Sequence, residues 1–203
     1  MLRAMSDTPA PKPGPRKPGP KPATAERLEK FALFHLERFA SSAENLRRVL
    51  MRRVQKSAQV HGTDPTEGAA AVEALVQRFT AAGMLDDKLY AEARTASLHR
   101  RGASARQIAA SLAQKGIDRD LIGEALDVDD EDSARPGGDL AAAAALARRR
   151  RLGPYRPADK RPTYWQKDLA TFARAGFTRL IAETVLGAEN PEELIALVNE
   201  GRG

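Results

Sequence analysis

Positions 116–126 read GIDRDLIGEAL, and positions 176–186 repeat the same pattern sixty residues later as GFTRLIAETVL. Each stretch begins with a glycine followed by a large apolar residue, and pairs of apolar residues then recur at helical spacing. A glycine at such a position is typical of the turn between two helices. The repeat therefore predicts that one structural unit, ending in a glycine turn and a short helix, occurs more than once in the chain.

The same helical spacing extends outward from this repeat over most of the chain. From Ala23 onward, apolar residues recur three and four positions apart, and Ala, Leu, Arg and Glu dominate the composition. Because one three-helix unit cannot bury its apolar face alone, we expect stacked copies. The sequence predicts an all-α protein, an elongated array of three tandem three-helix repeats. The expected helices cover 24–39, 43–58 and 66–82, then 87–101, 105–115 and a short helix after Gly116, then 139–152, 159–175 and a short helix after Gly176.

Composition divides the chain into six segments. Residues 1–22 hold seven of the 13 prolines and carry a charge of +4, out of +6 for the whole chain. Such a Pro/Lys-rich segment has little to bury and predicts a disordered arm. The predicted segments are a disordered arm at 1–23, repeat 1 at 24–84, repeat 2 at 85–127, an acidic linker at 128–138, repeat 3 at 139–187 and an acidic C-terminal tail at 188–203.

Within the nearly neutral body, the charge is arranged in blocks. Residues 41–58 carry a net charge of +4 and residues 148–161 a net charge of +6, with an acidic run at 127–132 between them. Two separated basic patches on helical units suit contact along an extended anionic partner better than enclosure of a small substrate.

Several classes of function are disfavoured by what the sequence lacks. It has no cysteine, and its three histidines lie far apart in no metal-binding spacing, so we expect no metal, no cofactor and no enzymatic activity. No stretch approaches the roughly 20 apolar residues of a membrane span, and the N-terminus does not resemble a secretory signal. A cytoplasmic protein is predicted. Trp165 could stack on bases, but Leu169 and Phe172 follow it at helical spacing, which favours a core position.

Three motifs give the chain a resemblance to the RecX family, the regulators of the RecA recombinase. Gly83-Met84-Leu85-Asp86-Asp87-Lys88-Leu89-Tyr90-Ala91 is similar to the family's Gly-x-Leu-Asp-Asp-x-x-Tyr-Ala segment. Ser104 through Lys115-Gly116-Ile117 resembles its second-unit helix and turn, and Ala175-Gly176-Phe177 resembles its third-unit turn. The first unit departs from the family pattern, because Val54-Gln55-Lys56-Ser57 stands where a Lys/Arg-Gly-Phe turn is usual.

The resemblance implies a non-enzymatic regulator that lies in the groove of a RecA filament on single-stranded DNA and mainly inhibits it, with a place in recombination, DNA repair and the SOS response. We expect a monomer because repeat proteins of this size often work as monomers. Basic side chains of the three units are the candidate contacts with the filament or with DNA. They are Arg47, Arg48, Arg52, Lys56, Arg100, Arg101, Arg106, Arg148, Arg149, Arg150 and Arg151.

A second hypothesis is direct DNA binding, because residues 104–126 also fit a helix-turn-helix pattern. The second helix of that pattern carries Asp118, Asp120 and Glu124, which would face phosphates unfavourably. Weak non-specific DNA binding through the arm and the four consecutive arginines is compatible with either hypothesis.

Overall fold

The computed structural model describes residues 21–128 and 136–200. These residues form α-helices joined by short turns, with no strand among them, which confirms the predicted all-helical class. The helices are α1 (Ala25–Leu36), α2 (Ala43–His61), α3 (Pro65–Ala81), α4 (Asp87–Arg100), α5 (Ala105–Gln114), α6 (Arg119–Val128), α7 (Pro136–Arg150), α8 (Arg161–Arg174), α9 (Arg179–Gly187) and α10 (Pro191–Glu200).

The first unit comprises α1, α2 and α3, and polar residues define where its helices begin. Thr24, Ser42 and Asp64 each accept a hydrogen bond from a backbone N–H in the first turn of the helix that follows. The apolar faces of the three helices meet in a core that includes Leu28, Leu46, Leu50, Val54 and Phe79. α2 continues to His61 and ends at Gly62. The helix runs through positions 54–57, where the family turn is usual, and extends three residues beyond its predicted end at 58.

The second and third units, α4–α6 and α7–α9, each have a core of their own. Ile108 and Leu112 of α5 are completely buried in the second unit, and Phe172 of α8 is completely buried in the third. Trp165 is half-buried against the core of the third unit, as its helical spacing predicts. Three separate cores agree with the predicted repeats.

Some boundaries differ from the sequence predictions. α1 ends three residues early, and Phe39 lies outside it with 60% of its surface exposed. α7 begins at Pro136 instead of 139, and two short 3₁₀ helices, Gly153–Tyr155 and Ala158–Lys160, precede α8. The predicted tail at 188–203 contains α10, whose Leu194 and Val198 are buried in the core of the third unit.

The predicted arm and linker fall mainly on residues 1–20 and 129–135, which lie outside the described residues. The last residues of the predicted arm are described, and there the backbone N–H of Ala23 donates to Ser57 Oγ at 2.9 Å. Of the helices in the described ranges, none is both long and apolar enough to cross a membrane.

Candidate partner-binding surfaces

The first unit meets the second through a pair of hydrogen bonds that we call the first joint. The buried Ser42 Oγ donates to the carbonyl oxygen of Lys115 at 2.6 Å and accepts from the N–H of Asn45 at 3.2 Å. The N–H of Ala43 donates to Asp87 Oδ1 at 2.8 Å. One serine thus caps its own helix and also holds the last turn of a helix in the next unit.

The second unit meets the third through the same arrangement, the second joint. Ser104 Oγ donates to the carbonyl oxygen of Ala175 at 2.7 Å and accepts from the N–H of Gln107 at 3.3 Å. The N–H of Ala105 donates to Asp139 Oδ1 at 2.9 Å. The units are therefore linked in series by one repeated connection.

The glycines of the opening repeat lie at these joints. A Cβ atom at Gly116 would collide with the Glu44 side chain, and one at Gly176 would lie 2.7 Å from Ser104 Oγ and 3.5 Å from Arg106 Cβ. Each glycine therefore allows the preceding unit to approach the turn that it occupies. This close approach gives the sequence repeat a structural reason.

Charges at the first joint are paired. Glu44 accepts hydrogen bonds from Arg47 Nη1 at 2.6 Å and from Arg48 Nε at 2.7 Å, and the Arg47 bond is the main cause that lowers the pKa of the Glu44 carboxyl. Arg47 also bonds Glu73 at 2.8 Å, and Arg48 reaches the carbonyl oxygen of Gln114 at 2.7 Å. Two of the predicted contact residues, Arg47 and Arg48, are thus engaged within the protein.

Charges at the second joint are not paired in this way. A cavity of about 180 Å³ opens there between α5, α7 and α8. We call it the arginine pocket, and its lining consists of Gln107, Leu146, Arg149, Arg150, Thr171, Arg174 and Ala175. In the described ranges, none of these three arginines forms an ion pair. Arg149 Nη1 donates to the carbonyl oxygen of Arg101 at 2.6 Å, and Arg174 Nη2 donates to Thr171 Oγ1 at 3.3 Å.

The arginine pocket contains two of the predicted arginines and further polar residues that sequence reasoning missed. Arg149 and Arg150 were predicted, and Arg106 stands beside the neighbouring Gly176. Gln107 and Arg174 were not predicted. The alignment of the two glycine turns could have identified Arg174. It lies two residues before Gly176, as Gln114 lies two residues before Gly116.

The remaining predicted residues lie elsewhere on the surface. Arg52 and Lys56 are exposed on α2, one turn apart. Arg100, Arg148 and Arg151 are exposed at the ends of α4 and α7. Arg53, on the same helix as Arg52, places its guanidinium 3.2 Å from the centre of the Phe31 ring, which holds this cation against the first unit.

In the structure, the second helix of the helix-turn-helix pattern, α6, has an acidic surface. Asp118, Asp120 and Glu124 are all exposed at or along α6, and Glu124 forms an ion pair with Lys88 at 2.9 Å. The helix that would enter a DNA groove therefore presents more carboxylates than cations. Over 21–128 and 136–200, no group of His, Asp or Glu side chains is arranged to hold a metal ion.

Serially joined three-helix units define the class as a helical repeat protein, in which each unit contacts only its neighbours. Comparison with known proteins makes the class specific. Residues 86–126 match the family model for the second three-helix domain of RecX. Regulatory protein RecX of Myxococcus xanthus (strain DK1622) is 37% identical over 184 residues, covering 88% of this chain and 92% of the relative. That of Agrobacterium fabrum (strain C58 / ATCC 33970) is 30% identical over 167 residues, covering 81% and 85%.

The chain belongs to the RecX family, as the three motifs predicted. A shorter match joins it to Regulatory protein RecX of Thermobifida fusca (strain YX), with 39% identity over 80 residues, or 39% of this chain and 40% of the relative. No solved structure matches the chain. The relatives are named as regulatory proteins, which agrees with the prediction of a regulator.

Proposed function

We propose that the protein regulates the RecA recombinase, mainly by inhibition, and that it docks along the groove of the RecA filament on single-stranded DNA. Membership of the RecX family supports the choice of partner. The observation that carries the mode of contact is the repeated joint. It links three units in series, which suits a partner that itself repeats along an axis.

The joints would keep the three units in a defined relation, so that one unit bound to the filament positions the next. Linked contacts of this kind raise the effective concentration of each following contact, and overall affinity then exceeds that of any single unit. The exposed cations on α2, Arg52 and Lys56, and those of the second joint would face the polyanionic filament.

The test is RecA ATPase activity on single-stranded DNA, measured with this protein at sub-stoichiometric amounts. We expect hydrolysis and filament length to fall. The matched variant is Ser104→Ala/Asp139→Ala, which removes the second joint and should require more protein for the same inhibition while circular dichroism still reports folded helices. Unchanged hydrolysis and filament length with the intact protein would contradict the proposal.

Direct DNA binding is the second candidate, and the exposed arginines at the end of α7 are the observation in its favour. Reversing the charge of Arg148, Arg149, Arg150 and Arg151 separates the two hypotheses when binding to naked DNA and to the filament is measured in parallel. Equal loss in both would favour direct DNA binding. A larger loss for the filament supports docking.

The proposal includes a monomeric protein of the cytoplasm that takes part in recombination, repair and the SOS response without enzymatic activity. Removing residues 1–22 should weaken filament affinity mainly at low salt, because their net charge of +4 acts through screened electrostatics. A loss that is independent of salt would mean that these residues make specific contacts.

A further inference from the structure

We propose that the arginine pocket at the second joint binds a phosphate group, and that its source is the backbone of a nucleic acid strand. The inference deepens the proposed function by naming the chemistry that one joint contacts. The inference rests on the proposed function only for its biological role. Phosphate binding is a property of this chain and can be measured without RecA.

The composition of the pocket is the first argument. Three helices supply its polar lining, with Arg149 and Arg150 from α7, Arg174 and Thr171 from α8, and Gln107 from α5. Guanidinium groups present planar forks of N–H donors that match phosphate oxygens, and amide and hydroxyl groups add further donors. A tetrahedral anion can accept hydrogen bonds from donors that approach from several sides, as they do here.

The unbalanced charge is the second argument. Arginines near the ends of α7 and α8 are favourable for the helix dipole, which one or two cations would satisfy. Here three arginines line one cavity of about 180 Å³, and Arg106 lies beside it against Gly176. The structure shows no ion pair for any of these four within 21–128 and 136–200. An anion in the cavity would relieve their mutual repulsion.

The first joint provides the third argument, because it has a carboxylate at a position where the second joint has an arginine. Glu44 stands where the second joint has Arg106, since both side chains lie against the glycine of the next unit. Asn45 corresponds to Gln107 and is bonded by Lys115 Nζ at 2.9 Å. One joint thus supplies its own carboxylate, whereas the other leaves that place to a ligand.

A phosphate fits this lining better than an acidic peptide does. A bound peptide usually buries an apolar side chain in a pocket at the centre of its contact. The arginine pocket offers only Leu146 and Ala175 as apolar lining, and Leu146 is 3% exposed. A phosphodiester needs no apolar pocket, and a strand that continues past the pocket would meet the exposed Arg148 and Arg151.

The experiment compares Arg174→Gln with Arg119→Gln in the full chain, using fluorescence anisotropy of a labelled 12-nucleotide oligo-dT. Both substitutions remove one exposed cation, but Arg119 lies on α6 outside the pocket. Arg174→Gln should weaken binding by at least about fivefold and lower the slope of log K against log salt by ~0.7, since one phosphate contact is lost. Arg119→Gln should change binding by less than about twofold, because it removes no phosphate contact. Equal losses would overturn the inference.

A second variant, Arg106→Glu, copies the first joint by placing a carboxylate beside the pocket, and it too should weaken oligo-dT binding. Competition identifies the source of the ligand. Unlabelled oligo-dT should displace the probe at far lower concentration than inorganic phosphate, whereas equal potency would mean a site for free phosphate and overturn the assignment to a strand. Displacement by poly-glutamate as effective as by oligo-dT would overturn the phosphate assignment itself. Thermal melting by circular dichroism verifies that each variant is folded.

The outcome is separable from that of the proposed function. If RecA hydrolysis is unaffected by the protein but Arg174→Gln selectively loses oligo-dT, the proposed function fails and the phosphate pocket stands. If RecA is inhibited and Arg174→Gln behaves like Arg119→Gln, the pocket fails and the proposed function stands.

Discussion

The two joints share their hydrogen bonds and a glycine turn, and they differ in the charges that surround them. Ser42 and Ser104 make equivalent bonds, yet the first joint is surrounded by paired charges and the second by unpaired arginines. They also differ in how closely their backbones approach. Two residues before the capping serine, the first joint has the exposed Ala40 and the second has the buried Gly102. The shared hydrogen bonds connect the units, and the variable surroundings are free to serve a partner.

The largest expected effect tests the close approach at the second joint. Gly102 has φ +79°, and a Cβ there would lie 2.9 Å from both the Ala142 oxygen and the Leu146 nitrogen of α7. Gly102→Ala should lower the free energy of unfolding by more than about 3 kcal/mol, because left-handed backbone costs roughly 1–2 kcal/mol and overpacking against backbone atoms that cannot rotate away costs about 1–3 kcal/mol more. Urea denaturation measures the change.

The matched control for that substitution is Gly62→Ala. Gly62 has φ +67° with nothing within 4 Å of the added Cβ, so this change carries only the conformational cost. Equal destabilisation by the two variants would mean that the contact between Gly102 and α7 contributes nothing.

The next effect tests whether the two joints are equally strong. Ser42→Ala and Ser104→Ala should each cost about 2–3 kcal/mol, since each removes a helix cap worth about 1 kcal/mol and leaves a partly buried carbonyl without its donor. Thr178→Ala, which removes a cap with no bond to another unit, should cost about 1 kcal/mol. Chemical denaturation of the three variants is the measurement. If a serine variant lost no more unfolding free energy than Thr178→Ala, the bond of that serine to the next unit would not contribute to stability.

A smaller effect tests the paired charges of the first joint. Glu44→Gln should cost less than about 1 kcal/mol at pH 7, because the side chain is 29% exposed and exposed ion pairs contribute little. Because the folded pKa of Glu44 is lowered, its contribution exists above the ordinary pKa of 4.5 and disappears as the pH falls below it. Unfolding curves from pH 7 to pH 3 should therefore converge for the wild type and the variant.

The corresponding change at the second joint has the opposite sign. Arg106→Glu should raise the free energy of unfolding slightly at low salt, by the few tenths of a kcal/mol typical of a surface ion pair. Thermal unfolding measures the change. The gain should vanish in 1 M salt, where charges are screened over about 3 Å. A loss of stability at low salt would show that the arginines of the second joint are not under mutual repulsion.

The smallest effect concerns His35, which lies outside both joints and makes stability depend on pH. Burial, with a smaller contribution from Arg52, lowers the pKa of His35, whose Nε2 is buried and has no hydrogen-bond partner among residues 21–128 and 136–200. Because the unfolded chain takes up the proton first, stability should fall as the pH drops below about 6.5 and be unaffected above it. His35→Gln should remove this part of the pH dependence in thermal unfolding. An unchanged profile would contradict it.

Most of the fold could be predicted because its signals are local. Ser42 and Ser104 are residue types that favour helix starts and each caps the helix that follows it, and the helical spacing of the apolar residues predicted the helical class. α10 was missed although its signal is present, since Asn190 precedes Pro191, and Leu194, Leu197 and Val198 follow at helical spacing. The acidic tail was predicted from the net charge of this segment and not from its apolar pattern.

The candidate site was less predictable because it forms between units. Asp86 and Asp87 both suit a helix start, but only Asp86 caps its own helix, whereas Asp87 bonds the first unit. A run of charge likewise does not show which cations are already paired. Arg47 reaches Glu73, 26 residues away, and Arg149 meets Arg174 only because α7 and α8 end at one cavity.

The hydrogen bonds of a joint connect residues that are far apart in the sequence. Ser104 bonds a residue 71 positions away, and Ala105 bonds one 34 positions away, so the contact between the second and third units is made by distant parts of the sequence. We therefore expect that such units can be exchanged, or supplied as separate polypeptides, when each presents a capping serine, an aspartate and a glycine turn at its ends.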